Sequence, residues 1–117
     1  SRERLEAEVE RFTVVEYDGV LVGCAALYPF IDERAAEMAC VAVVPEHRRA
    51  GLGEMLLKRI ESRSRAIGVE RLFVLTTRTS DWFRERGFRE APPEELPRQK
   101  REMYDVSRRS KVFMKSL

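Results

Sequence analysis

A nearly continuous apolar stretch, Ala36 to Val44, ends at Pro45 and is followed by Glu46-His47-Arg48-Arg49-Ala50-Gly51-Leu52-Gly53. Leu52, Leu56, Leu57, Ile60 and Ile67 then recur at helical spacing up to Gly68. An unbroken apolar run reads as a strand covered on both faces, and proline cannot extend its ladder. Leucine and isoleucine at that spacing, closed by a glycine, read as an amphipathic helix with a left-handed terminator. A buried strand, a basic loop and a long helix commit the chain to a sheet with helices packed on it. The loop has a chemical consequence. A helix start offers unpaired N–H groups and a partial positive charge, glycines let the backbone approach a ligand, and Arg48 and Arg49 add cations. Alone, the Gly-x-Gly suits either a solvated turn or an anion site. Its spacing matches neither Gly-x-Gly-x-x-Gly nor Gly-x-x-x-x-Gly-Lys, which argues against a dinucleotide or a nucleoside triphosphate.

The flanking sequence supplies the remaining elements. Leu5, Val9 and Phe12 recur among charged residues, which predicts a short helix over residues 2–11. Phe12 to Tyr17 and Val20 to Tyr28 read as two strands joined by Asp18-Gly19, with Pro29 ending the second and Asp32-Glu33-Arg34 turning the chain. Arg71 to Thr77 is a further strand. Thr79 or Ser80 caps a helix to about Arg86, Gly87 terminates it, and Phe88 begins a short strand. Residues 91–97 are irregular, Arg98 to Met103 is polar with a helix or a loop both open, and Arg109 to Lys115 is a closing strand. The predicted order is α-β-β-β-α-β-α-β-β, an α/β fold around a mixed sheet.

A length of 117 residues leaves room for one core and so predicts a single domain over residues 1–117. The longest apolar run, Val20 to Phe30, is too short to cross a bilayer, which takes about 20 residues. No secretory signal is visible at the N-terminus, so the expected location is the cytoplasm. A formal net charge of +2 from 22 basic and 20 acidic residues is too balanced to imply nucleic-acid binding. Cys24 and Cys40 lie in apolar stretches without metal-type spacing and read as reduced thiols. His47 is the only histidine, so neither a metal site nor a Ser-His-Asp arrangement is expected. The charged run Arg98 to Arg101 reads as a solvated face, with contact to a ligand phosphate as the alternative.

Arg48-x-x-Gly51-x-Gly53, between the strand EMACVAVVP and an amphipathic helix, resembles the acetyl-CoA pyrophosphate loop of the GNAT superfamily of N-acetyltransferases. Trp82-Phe83-Arg84-Glu85-Arg86-Gly87-Phe88 resembles the helix-to-strand turn near the end of that fold. More narrowly, GCAALYPF, EMACVAVVPEHRRAGLGE, LFVLTTRT, WFRERGF and RRSKVF, in that order, are similar to the C-terminal acetyltransferase domain of bacterial N-acetylglutamate synthases. The resemblance implies a mixed, mostly antiparallel sheet with splayed central strands and flanking helices. It also implies that the usual first strand and helix precede Ser1. The implied reaction is direct attack by the α-amine of L-glutamate on acetyl-CoA, the first step of arginine biosynthesis. Another amine acceptor, or a CoA-binding module without turnover, is the alternative.

The resemblance also assigns residues. The backbone of Val41, Ala42 and Val43 would pair with pantetheine amides as an added strand does. Arg48, Arg49, Ala50, Gly51, Leu52 and Gly53 would hold the pyrophosphate. Glu37, a carboxylate at the start of an apolar strand, would take the ammonium proton. Many GNAT members carry a tyrosine where this chain has Phe83, so the leaving thiolate needs another partner, and Thr76 matches a hydroxyl position of the synthases. Arg108 and Ser110 match an Arg-x-Ser that binds acceptor carboxylate, with Cys40 in the same acceptor site. A second arginine of the family falls before Ser1, and Arg2 is its nearest substitute. No metal, nucleic acid or membrane is implied. A homo-oligomer, or association with an amino-acid-kinase-like or other arginine-pathway domain, stays open.

Overall fold

The computed structural model describes residues 4–9, 11–45, 51–77, 80–103 and 110–117, with the backbone alone at 4–9, 40 and 80. Seven strands form one sheet: β1 (Arg4–Val9), β2 (Phe12–Tyr17), β3 (Val20–Phe30), β4 (Ala35–Val43), β5 (Arg71–Thr76), β6 (Arg89–Ala91) and β7 (Lys111–Ser116). Their order across the sheet is β1-β2-β3-β4-β5-β7-β6. Every neighbouring pair is antiparallel except β4 and β5, which run parallel and are linked by α1 (Leu52–Ala66). A parallel pair requires such a crossover. Two shorter helices, α2 (Ser80–Glu85) and α3 (Arg98–Met103), complete the fold.

The predicted N-terminal helix is a strand instead. Arg4 to Val9 satisfies two periods at once: Leu5 and Val9 fit a helix, but Leu5, Ala7 and Val9 also alternate with Arg4, Glu6 and Glu8. So short a segment is a marginal helix by itself. Pairing with β2 from Arg4↔Tyr17 to Val9↔Phe12 supplies the backbone partners that an isolated turn lacks. Pro29 also fails to end its strand, because β3 continues to Phe30 with Pro29 opposite Ala36. The β2 ladder has already stopped at Phe12↔Ala26, so a missing N–H on that outer edge removes no ladder bond. The hairpin turn is as read, with Asp18 and Gly19 at φ 56° and 79°.

One face of the sheet buries Val15, Val22, Leu27, Ala36, Met38, Leu72 and Val74 against Leu52, Leu56, Leu57 and Ile60 of α1 and Phe83 of α2. The opposite face buries Ala35, Phe73, Ala91, Val112 and Met114 with Leu96. Both faces of β4 and β5 are therefore covered at their paired end, as the apolar run of β4 predicts. Among the described residues, no helix is long and apolar enough to cross a membrane.

Candidate active site

The parallel pairing of β4 and β5 lasts for three registers, Ala35↔Arg71, Ala36↔Leu72 and Glu37↔Phe73, and then stops. Beyond it β4 stays on β3 and β5 stays on β7, so the two arms separate into a V with Glu37 and Phe73 at its apex. The divergence has a local cause. Between Ala26↔Ala39 and Cys24↔Ala42, β3 advances two residues while β4 advances three, which places one extra residue in β4 at Cys40–Val41. A bulge of this kind bends its strand and increases the local twist. From Met38 to Val43 no described strand pairs with the inner edge of β4. Val41 and Ala42 are exposed and Val43 is half-buried.

The V leads to the start of α1. Gly51 caps that helix in the left-handed conformation (φ 75°), and among the described residues no side chain caps its first turn. A Cβ at Gly51 would meet nothing among the described residues within 4 Å, and the positive φ is what favours glycine there. Gly53 is the reverse case: its Cβ would stand 3.3 Å from Cζ2 of Trp82. Trp82 lies on α2, which follows β5 in the chain, so this contact seats α2 against the N-terminus of α1. The guanidinium of Arg86 stacks over the same indole at 4.0 Å and donates to the Trp82 carbonyl. Leu52 has its side chain in the core, which leaves only its backbone for a ligand. Arg48, Arg49 and Ala50 lie outside the described residues.

Glu37 is 7% exposed. By strand alternation it lies on the face of Ala35 and Phe73, away from α1. Lys100 of α3 comes down on that face and places Nζ 2.9 Å from Glu37 Oε1. The run read as wholly solvated is therefore divided: Arg98 and Arg101 are exposed, and Lys100 turns inward. Charge alone does not separate Lys100 from Arg98 and Arg101, and only the placement of α3 against β4 selects it.

Thr76 ends the β5 arm, half-buried, three residues past Phe73 and so roughly 10 Å from the apex along the strand. Alternation puts it on the face of Leu72 and Val74, opposite to that of Glu37. It pairs with Lys111, the residue after Ser110, so Thr76 and Ser110 come together at one end of β5 and β7. Ser110 also borders a depression of about 450 Å³ lined by Glu90, Ala91, Pro92, Pro93, Lys111 and Val112. Arg108 lies outside the described residues, as does the side chain of Cys40. Phe83 is buried, edge-on to Trp82 at 5.1 Å and to Phe88 at 5.3 Å, with no hydroxyl to offer.

A model of the acetyltransferase (GNAT) family matches residues 1–90. The chain belongs to that family. All 117 residues align at 54% identity with the amino-acid acetyltransferase of Pseudomonas aeruginosa, of which they span 27%. The N-acetylglutamate synthase of Neisseria gonorrhoeae, solved with coenzyme A and N-acetyl-glutamate, superposes with a TM-score of 0.87 at 44% identity, over 92% of this chain and 26% of that one. The same synthase solved with coenzyme A and L-arginine gives a TM-score of 0.84 over 92% and 24%. The chain thus spans about a quarter of the length of the relatives it matches. The splayed β4–β5 pair is the GNAT sheet that the resemblance implies.

Proposed function

We propose that this chain is the acetyl-transfer domain of an amino-acid N-acetyltransferase that moves acetyl from acetyl-CoA to the α-amine of L-glutamate. The observation that carries the reading is the unpaired inner edge of β4, running from the Glu37 apex towards the N-terminus of α1. An extended chain of amides such as pantetheine suits that edge, with backbone groups of Val41, Ala42 and Val43 as partners. The diphosphate then reaches the first turn of α1, where the N–H groups of Leu52 and Gly53 and the residues Arg48 to Gly51 favour an anion.

In this arrangement the thioester lies near the apex. The acceptor nitrogen attacks the carbonyl carbon, the C–S bond breaks, and the departing thiolate of coenzyme A takes up the second proton that the nitrogen sheds as it becomes an amide. Glu37 receives the proton that the ammonium must lose before attack, directly or through water. The hydroxyl of Thr76 hydrogen-bonds the departing sulfur, a role within reach of a weak acid. Arg108 and Ser110 receive acceptor carboxylate, as arginine forks and hydroxyls do, with Cys40 beside them in the cofactor strand. The aligned relatives, named for acetylation of amino acids, support this choice of acceptor.

Thiol release from acetyl-CoA, followed with a disulfide indicator against L-glutamate and a panel of other amines, tests the proposal. The expected result is turnover that favours glutamate over the rest of the panel. Turnover of unrelated amines with none for glutamate would overturn the acceptor, and binding of acetyl-CoA without turnover of any amine would overturn the catalytic reading.

A further inference from the structure

Resting on that reading, we propose that Lys100 is a specificity residue: with Glu37 it forms a two-charge receptor for the ammonium and α-carboxylate of a free amino acid. The ion pair at the apex is a carboxylate oxygen and an ammonium nitrogen 2.9 Å apart, with side chains 9% and 21% exposed. An α-amino acid presents the same two charges with the signs reversed, its nitrogen and its carboxyl carbon only two bonds apart. Laid antiparallel along the pair, it puts its ammonium against Glu37 and its α-carboxylate against Lys100. Charges alternate around the resulting square, and the Glu37–Lys100 contact need not break.

The location makes this more than a surface ion pair. Glu37 sits where β4 leaves β5, so any nucleophile that delivers its proton to this carboxylate stands at the mouth of the V. Both side chains are largely buried, and an added charge therefore acts through a weaker screen than it would at the surface. An amine without an adjacent carboxylate leaves Lys100 without the second anion. The receptor thus selects free amino acids over polyamines, peptide lysines and α-amides, and leaves Arg108 and Ser110 for a side-chain carboxylate.

The test compares the protein with Lys100→Met and Lys100→Arg in steady-state thiol release, using L-glutamate, L-glutamine and the α-amide of glutamate. Calorimetry of L-glutamate with coenzyme A present provides a readout independent of turnover. Lys100→Met is expected to raise KM and Kd for glutamate and glutamine about 10- to 100-fold, the value of one charge-assisted hydrogen bond, with a smaller change in kcat. Preference for glutamate over its α-amide should collapse by the same factor, and Lys100→Arg should restore most of it. A preference that survives in Lys100→Met, or an equal loss for all three acceptors, would overturn the assignment and leave the acetyl-transfer reading standing. A parent protein that neither binds nor acetylates any amino acid would overturn both.

Discussion

Two buried glutamates of this fold meet lysines in almost the same geometry. Glu37 takes Lys100 at 2.9 Å and Glu61 takes Lys115 at 2.7 Å; both glutamates are 7% exposed, and the lysine side chains are 21% and 23% exposed. Their surroundings differ. Glu61 lies on the buried face of α1, with Arg65 at 4.0 Å as a second cation, and Lys115 of β7 stands over the ring of Phe88 at 5.9 Å. That pair fastens a helix to the sheet. Glu37 instead occupies the one point where the two central strands part. An ion pair's distance and burial do not disclose its role; the role follows from whether the neighbouring backbone is closed or open.

The comparison can be broken most sharply at Glu37. Glu37→Gln is nearly isosteric and should lower kcat about 10²- to 10⁴-fold, the span attached to a positioned general base, with the folded sheet retained by circular dichroism. A variant with normal kcat would make this pair as structural as the other. Lys115→Met should show the opposite profile. It strips a buried carboxylate of its main partner, and a loss of about 3 kcal/mol in denaturant unfolding is expected, reduced where Arg65 swings in. Activity per folded molecule should not change.

Gly51→Asp acts at neither pair but tests where the V leads. It puts a side chain at φ 75° and a negative charge at the α1 N-terminus, and acetyl-CoA affinity in calorimetry should fall about tenfold or more. Unchanged affinity would move the diphosphate away from that turn. The smallest expected effect lies at the surface, where Arg89 donates to both oxygens of Glu95 at 2.8 Å and 3.3 Å. Those hydrogen bonds hold the Glu95 carboxyl below the usual carboxylate range. A depressed carboxyl contributes stability at neutral pH and loses it as acid protonates the group. Glu95→Gln should therefore flatten the acid limb of the pH–stability curve slightly, with no effect on turnover.

Parts of this contrast can be read from the chain. Glu37 stands out as a lone carboxylate in an apolar strand, and the glycine loop before a periodic helix marks a helix start suited to an anion. Glu61 follows Leu57 by four residues, on the buried stripe of α1, so a lone acid there is also visible in the helical period. Lys100 is not, because Arg98 and Arg101 beside it carry the same charge and its burial comes from tertiary placement. The bulge at Cys40–Val41 leaves no mark in composition, since it arises from unequal advance along β3 and β4. Arg4 to Val9 obeys two periods, and only the presence of β2 decides between them.

The most direct measurement follows backbone amide resonances during titration with coenzyme A. If the open arm of β4 is the cofactor edge, the largest shifts will fall on Val41, Ala42, Val43, Leu52 and Gly53, and the amides around Glu61 and Lys115 will stay in place. Saturable binding whose shifts gather around Glu61 and Lys115, and bypass the inner edge of β4, would contradict the account.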